Sequence, residues 1–142
     1  MLFKNKSKSF SDGALISLLI RIALGPLFLG MGVMKLTHYV DTVDRIRAGF
    51  ANAWLPIELF TPFIYIMPPL ELLLGLALVL GFQYRYTLVA LSLFMSALSF
   101  GLMTQGNFDS MIRNLLIVIV ALYGISRSSE NVWTIDNLLA RK

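Results

Sequence analysis

Four residues of this chain carry a charge or an amide into or at the edge of long apolar runs: Arg21, Lys35, Glu71 and Asn114. A charge inside hydrocarbon is costly, so each needs either a partner or a task. At the helical rise, Arg21 lies about 10 Å into its run and Glu71 about 13 Å from the same face of the next, antiparallel run. That places opposite charges at similar depth, and the sequence predicts a buried Arg21–Glu71 pair. Such a pair has two readings. It fixes helix register, since buried ion pairs are weak evidence of function, or Glu71 touches a proton or the polar head of a ligand. Lys35 and Asn114, with Arg113 beside it, fall at the far ends of their runs. Together they are expected to form a polar pocket at the outer leaflet, although a solvated helix end accounts for Arg113 alone.

Composition narrows the chemistry. The chain has no cysteine, which removes disulfides and dithiol exchange. Its single histidine, His38, rules out a two-histidine haem or a histidine-rich metal site. No haem and no metal are therefore expected, and composition leaves any other cofactor open. The net charge of +4 comes without a basic stripe interleaved with aromatics, so nucleic acid is not an expected partner. Membrane lipids suit those charges better. Further protein subunits are expected partners, and a homo-oligomer is left open.

The elements that must position these residues are membrane helices. The chain is 57% hydrophobic and only 14% charged, with charges gathered at the N-terminus, in 41–58 and after Ser126. About 20 apolar residues cross a bilayer. Four runs qualify, at about 14–36, 62–80, 87–103 and 111–125, within a single domain of 1–142. The fold class is therefore all-α, a polytopic membrane four-helix bundle. Lys4, Lys6 and Lys8 precede the first run as in a signal peptide, but its length and its Gly-Met-Gly-Val-Met-Lys ending fit a retained span.

Between the first two spans, Val40, Val43, Ile46, Phe50 and Trp54 recur every three or four residues. They predict a short amphipathic helix, lying on the membrane surface or packed on the bundle, with Asp41 and Arg45 pairing on its other face. Thr61 is expected to cap span two, with Pro62 at its first position. Pro68 and Pro69 deprive the carbonyls of Ile64 and Tyr65 of their helical donors, which predicts a kink or break there, and Pro26 is a further kink candidate in span one. A helix restarting at Pro69 would put Glu71 in its first turn, where free N–H groups favour a carboxylate. Gly81 ends the span, followed by Tyr84, Arg85 and Tyr86 as interfacial anchors. Gly106, Asn107, Asp109 and Ser110 turn the chain into span four, and Trp133 is a further interfacial residue of the tail.

Each span carries an aligned stripe of small or polar residues expected to face inward. The stripes are Arg21, Gly25, Phe28, Gly32 and Lys35; then Pro68, Glu71 and Gly75; then Ser92, Ser96 and Ser99; then Asn114, Ile117, Ala121 and Gly124. For orientation, Lys4, Lys6, Lys8, Arg85, Arg127, Arg141 and Lys142 fall on one side, against Lys35, Arg45, Arg47 and Arg113 on the other. The excess predicts cytoplasmic N- and C-termini.

Two segments, LIRIALGPLFLGMGVMKL (Leu19–Leu36) and PLELLLGLALVLGFQYR (Pro69–Arg85), resemble the first and second spans of the DoxX family. Asn114 resembles the polar position that opens the family's fourth span, and Ile135-Asp136 its closing motif, so the likeness reaches over roughly the whole four-span length. The proline pair and Pro26 depart locally from it. The resemblance implies a small bacterial inner-membrane bundle. Some members are subunits of thiosulfate:quinone oxidoreductase, and others are linked to oxidative stress or to maturation of redox-active proteins. Nothing in the chain carries electrons unaided. The leading expectation is thus an accessory or anchoring subunit of a quinone-linked membrane oxidoreductase, holding quinone or lipid near Arg21 and Glu71. The competing expectation is a non-enzymatic scaffold, or a bundle that handles a small solute or proton at Glu71.

Overall fold

The computed structural model describes residues 12–128. The expectations for Lys4, Lys6, Lys8, Trp133 and Ile135-Asp136 lie outside the described residues. Five helices follow one another: α1 (Asp12–Thr37), α2 (Tyr39–Gly49), α3 (Thr61–Leu80), α4 (Tyr84–Thr104) and α5 (Phe108–Ser126). All but α2 are long and apolar enough to cross a membrane. No strand occurs among the described residues.

Local signals explain the ends, with some departures. Gly81 adopts φ 67 and terminates α3, with the Phe82 N–H returning to the Ala77 carbonyl at 2.9 Å and that of Gly81 to Leu78. This is the glycine-terminated helix end in which a left-handed residue satisfies the last carbonyls. Gln83, also left-handed at φ 41, completes the turn, so α4 starts at Tyr84 rather than Thr87. Asn107 caps α5 by accepting from the Ser110 N–H at 3.2 Å. Thr61 does not cap α3, because its hydroxyl donates backwards to the Ile57 carbonyl at 3.0 Å.

The prolines do not break α3, which runs through Pro68 and Pro69 as one helix, as α1 runs through Pro26. Proline already has a helical φ, and a neighbour can serve the carbonyls it frees. Here the Tyr39 hydroxyl, at the start of α2, donates to the freed Tyr65 carbonyl at 2.9 Å. The lost helical bond becomes an anchor for α2.

The bundle is two tight pairs, α1 with α3 and α4 with α5, joined more loosely to each other. Glycine sets the first pair. Gly32 lies against the Leu72 backbone, Gly75 against that of Leu29, and Gly25 against Val79. Lipid offers no hydrophobic drive for helix association, so close backbone approach at small residues has to supply it. The inward stripes are observed at Gly25, Phe28 and Gly32, at Pro68, Glu71 and Gly75, and at Ala121 and Gly124. The serine stripe is only partly inward. Ser92 and Ser99 are buried but Ser96 is exposed, and all three hydroxyls donate to carbonyls one turn back in α4 itself. They do not bridge helices. Most of α5 faces outward, with Ala121 and Gly124 its buried residues.

Candidate functional site

The glycine contacts fix which residues of α1 and α3 meet. Residue 25 faces 79, 29 faces 75 and 32 faces 72. Continued along the pair, this register brings Glu71 level with the Lys35 end of α1 and carries Arg21 past the last turn of α3. The structure follows it. Lys35 Nζ donates to Glu71 Oε1 at 2.7 Å, while Arg21 donates through Nε to the Leu78 carbonyl at 3.1 Å and through Nη2 to that of Val79 at 2.9 Å. The predicted Arg21–Glu71 pair is therefore replaced by Lys35–Glu71. The depth argument fails because it sets the two spans flush at one face, whereas the glycines slide α1 several turns beyond the end of α3.

Arg21 has a structural surrounding. It lies where α3 leaves its last carbonyls, a position that favours a cation. Its guanidinium rests on Gly81, where any Cβ would lie 2.7 Å from Cζ. Tyr84, expected as an interfacial anchor, is instead buried in the same joint, its hydroxyl against Gly124. The exposed anchor of that turn is Tyr86.

Lys35–Glu71 has a different surrounding. Both line a cavity of about 660 Å³ that extends to α2. Glu71 is only 1% exposed, and its Oε2 is buried with no hydrogen-bond partner. Lys35 is partly exposed, its side chain at 28%. The walls are largely apolar: Leu27, Met31 and Met34 from α1, Phe63, Ile64 and Met67 from α3, Met95 and Leu98 from α4, and Ile117 from α5. Beyond that pair the polar lining is sparse: His38, Asp41, Thr42 and Arg45 at or in α2, Gln105 after α4, and Asn114 in α5. A mostly apolar pocket with a few convergent polar groups is the usual form of a small-molecule site.

Lys35 and Asn114 line one shared cavity, whereas Arg113 turns away to bond Ser110 at 2.8 Å. Asp41 and Arg45 form no ion pair with each other among the described residues, and both line the cavity. Their helix is packed on the bundle over part of its apolar stripe. Val43 and Phe50 are buried, but Val40 and Trp54 stand 68% exposed, and regular helix ends at Gly49. Short 3-10 turns at Phe50–Asn52 and Ile57–Leu59 replace the rest, with Pro56 extended between them. Rings hold that segment over the cavity: Phe50 meets Phe60 at 4.8 Å between centroids, and Phe60 meets Phe100 at 6.1 Å.

Residue-type reasoning missed most of the walls. The methionines were silent because apolar side chains look alike in a membrane span. One signal was present: Leu27, Met31, Met34 and His38 follow at intervals of four, three and four, one continuous helical face running from the apolar interior to the polar end. His38 closes that face and lines the cavity. Among the described residues no group of histidine and acidic side chains converges to hold a metal.

Compared with known proteins, the chain matches the DoxX family model over residues 16–103, from the first turns of α1 to the end of α4. Asn114 and all of α5 lie beyond the matched segment, so the match covers less of the chain than the sequence likeness suggested. No curated protein and no solved structure matches the chain.

Proposed function

Since this chain belongs to the DoxX family, we propose that its membrane bundle binds a quinone-class amphiphile and serves as an accessory or anchoring subunit of a membrane-associated oxidoreductase. A partner subunit would then carry the electron-transfer centre. We further propose a bacterial inner-membrane location with both termini cytoplasmic, which sets α2 and the cavity beneath it at the outer leaflet.

The observation that carries this reading is the cavity around Lys35–Glu71. Its volume of about 660 Å³ lies within the 300–1,000 Å³ or so usual for small-molecule pockets. The methionine and phenylalanine walls suit a flat ring and an isoprenoid tail, and polarizable methionine adapts to such faces. Lys35, His38, Gln105 and Asn114 line the same space and can donate to ring oxygens. A quinone, when bound, supplies reversible two-electron, two-proton carriage. The chain's part is to bind and orient the head, to exclude water through α2 and its phenylalanine cluster, and to keep a carboxylate beside the head. Arg21, expected beside this site, stands at the other end of α3 on the Leu78 and Val79 carbonyls and takes no part in it.

Solvent extraction of the detergent-purified protein, followed by mass spectrometry, tests the reading. An isoprenoid quinone should be recovered near one per chain, and the double variant Lys35→Met/Glu71→Leu should lose it while remaining folded. Recovery of no quinone from the native protein would sink the proposal in favour of the scaffold or solute-handling reading.

A further inference from the structure

Glu71 limits what its ligand can present. The carboxylate meets an ammonium through Oε1 at 2.7 Å, and its Oε2 is buried without a partner. An ionised carboxylate is an acceptor only. Oε2 has almost no surface open to the cavity, so a head that reaches it does so by shifting the Glu71 side chain, and the group it then brings must donate. A carbonyl oxygen in that position would set lone pair against lone pair, with both groups stripped of water.

Lys35 sharpens the requirement. Its ammonium has three hydrogens and spends one on Oε1, so it can also donate to a ligand oxygen beside the pair. A hydroxyl can use both partners at once, accepting from Lys35 and donating to Glu71. A carbonyl can use Lys35 alone. We infer that the cavity selects amphiphiles whose head carries a hydroxyl donor, so that within the quinone reading it takes the reduced quinol in preference to the quinone. The inference rests on the proposed reading of the cavity as an amphiphile site. A glycerol-type lipid head offers the same hydroxyl chemistry, and the test separates the two sources.

The native protein, reconstituted in nanodiscs, is titrated anaerobically with decylubiquinol, decylubiquinone and monodecanoylglycerol by calorimetry. The quinol should bind at least about tenfold tighter than the quinone, the factor that one hydrogen bond to a charged group represents. In Glu71→Gln the side-chain amide can donate as well as accept, so the ratio should fall below about threefold. If that variant does not fold, the native ratio decides alone. Equal binding of quinol and quinone, or tighter quinone, overturns the inference and leaves the amphiphile site standing. Monodecanoylglycerol binding as tightly as the quinol, with the quinone weaker, upholds the hydroxyl requirement and removes the quinone reading. Binding of none of the three overturns both.

Discussion

Two cations stand on one stripe of α1 and both meet α3, yet they do opposite things. Arg21 spends its donors on the carbonyls of Leu78 and Val79, in a joint packed against Gly81. Lys35 meets a carboxylate that keeps one oxygen unpartnered, at the wall of a cavity. A buried charge in a membrane helix is therefore not by itself a site. What separates the two is the space beside them and the polar valence left over. Helix ends absorb charge completely because they offer several carbonyls in a row, whereas a side-chain pair between helices leaves lone pairs for a third party.

Both stations depend on the register that glycine imposes, so the broadest way to break the comparison is to remove that register. In Gly75→Leu the new Cβ would collide with the Leu29 backbone, which cannot move aside as a side-chain tip can. The cost should exceed the 1–3 kcal/mol or so typical of overpacking. Loss of the monodisperse peak in size-exclusion chromatography and of a cooperative thermal transition is the expected result. Gly30 has nothing within 4 Å of its Cβ position, so Gly30→Leu should leave the Tm unchanged.

The Lys35 station breaks asymmetrically. Lys35→Met strands the buried Glu71 carboxylate, at a cost of up to about 3–5 kcal/mol, reduced by whatever protonation recovers. Glu71→Gln leaves the ammonium facing a neutral acceptor, with partial access to the open cavity, and should cost less. Lys35→Met/Glu71→Leu should regain most of the native Tm, since apolar replacement of a whole buried pair is often neutral. Lys35→Met and the double variant should lose bound ligand, whereas Glu71→Gln should keep it with a weaker preference for hydroxyl heads. A double variant no more stable than Lys35→Met would show that the pair itself holds the bundle together, and would erase the contrast with Arg21.

How much of this was readable in advance divides along the same line. Span number, the amphipathic connector, the glycine stripes and the importance of Glu71 follow from hydropathy and spacing, which act locally. The partner of Glu71 does not, because it depends on how far α1 slides along α3. That slide is set by close backbone contacts at Gly25, Gly32 and Gly75 taken together. The stripes were legible as faces, but matching Gly32 to Leu72 rather than to another turn needs the opposing helix in three dimensions. The continuity of α3 through Pro68–Pro69 was likewise hidden, because its remedy is a hydroxyl, that of Tyr39, from a different helix. The cavity walls were hidden for a further reason: an inward Met and a lipid-facing Met have the same hydropathy.

Arg21→Ala sharpens the contrast from the other side. It removes two charge-assisted bonds to the end of α3, each a type worth about 1.5–3 kcal/mol, though the two will not add fully. Thermal stability should fall by a few degrees or more, while the amount of ligand recovered per folded chain stays native. If ligand recovery falls as it does in Lys35→Met, the two stations are coupled and the division drawn between them is wrong.

The smallest effect is expected at the roof of the cavity. Tyr39→Phe deletes one neutral hydrogen bond, to the Tyr65 carbonyl that Pro69 leaves without its helical donor. The bond is exposed, so global stability should change by about 1 kcal/mol or less. Local behaviour should change more. The N-terminal turn of α2 loses its tie to α3, while the Phe50–Phe60–Phe100 contacts keep the other end in place. Hydrogen exchange should therefore quicken at the start of α2 and not at Gly49 or beyond, and bound ligand should dissociate faster with little change in its association rate. Equal exchange along the whole of α2 would mean that the helix opens as a unit. In that case the hydroxyl given to a proline-freed carbonyl is only satisfying the backbone, as Arg21 does, and is no part of how the Lys35–Glu71 cavity is closed.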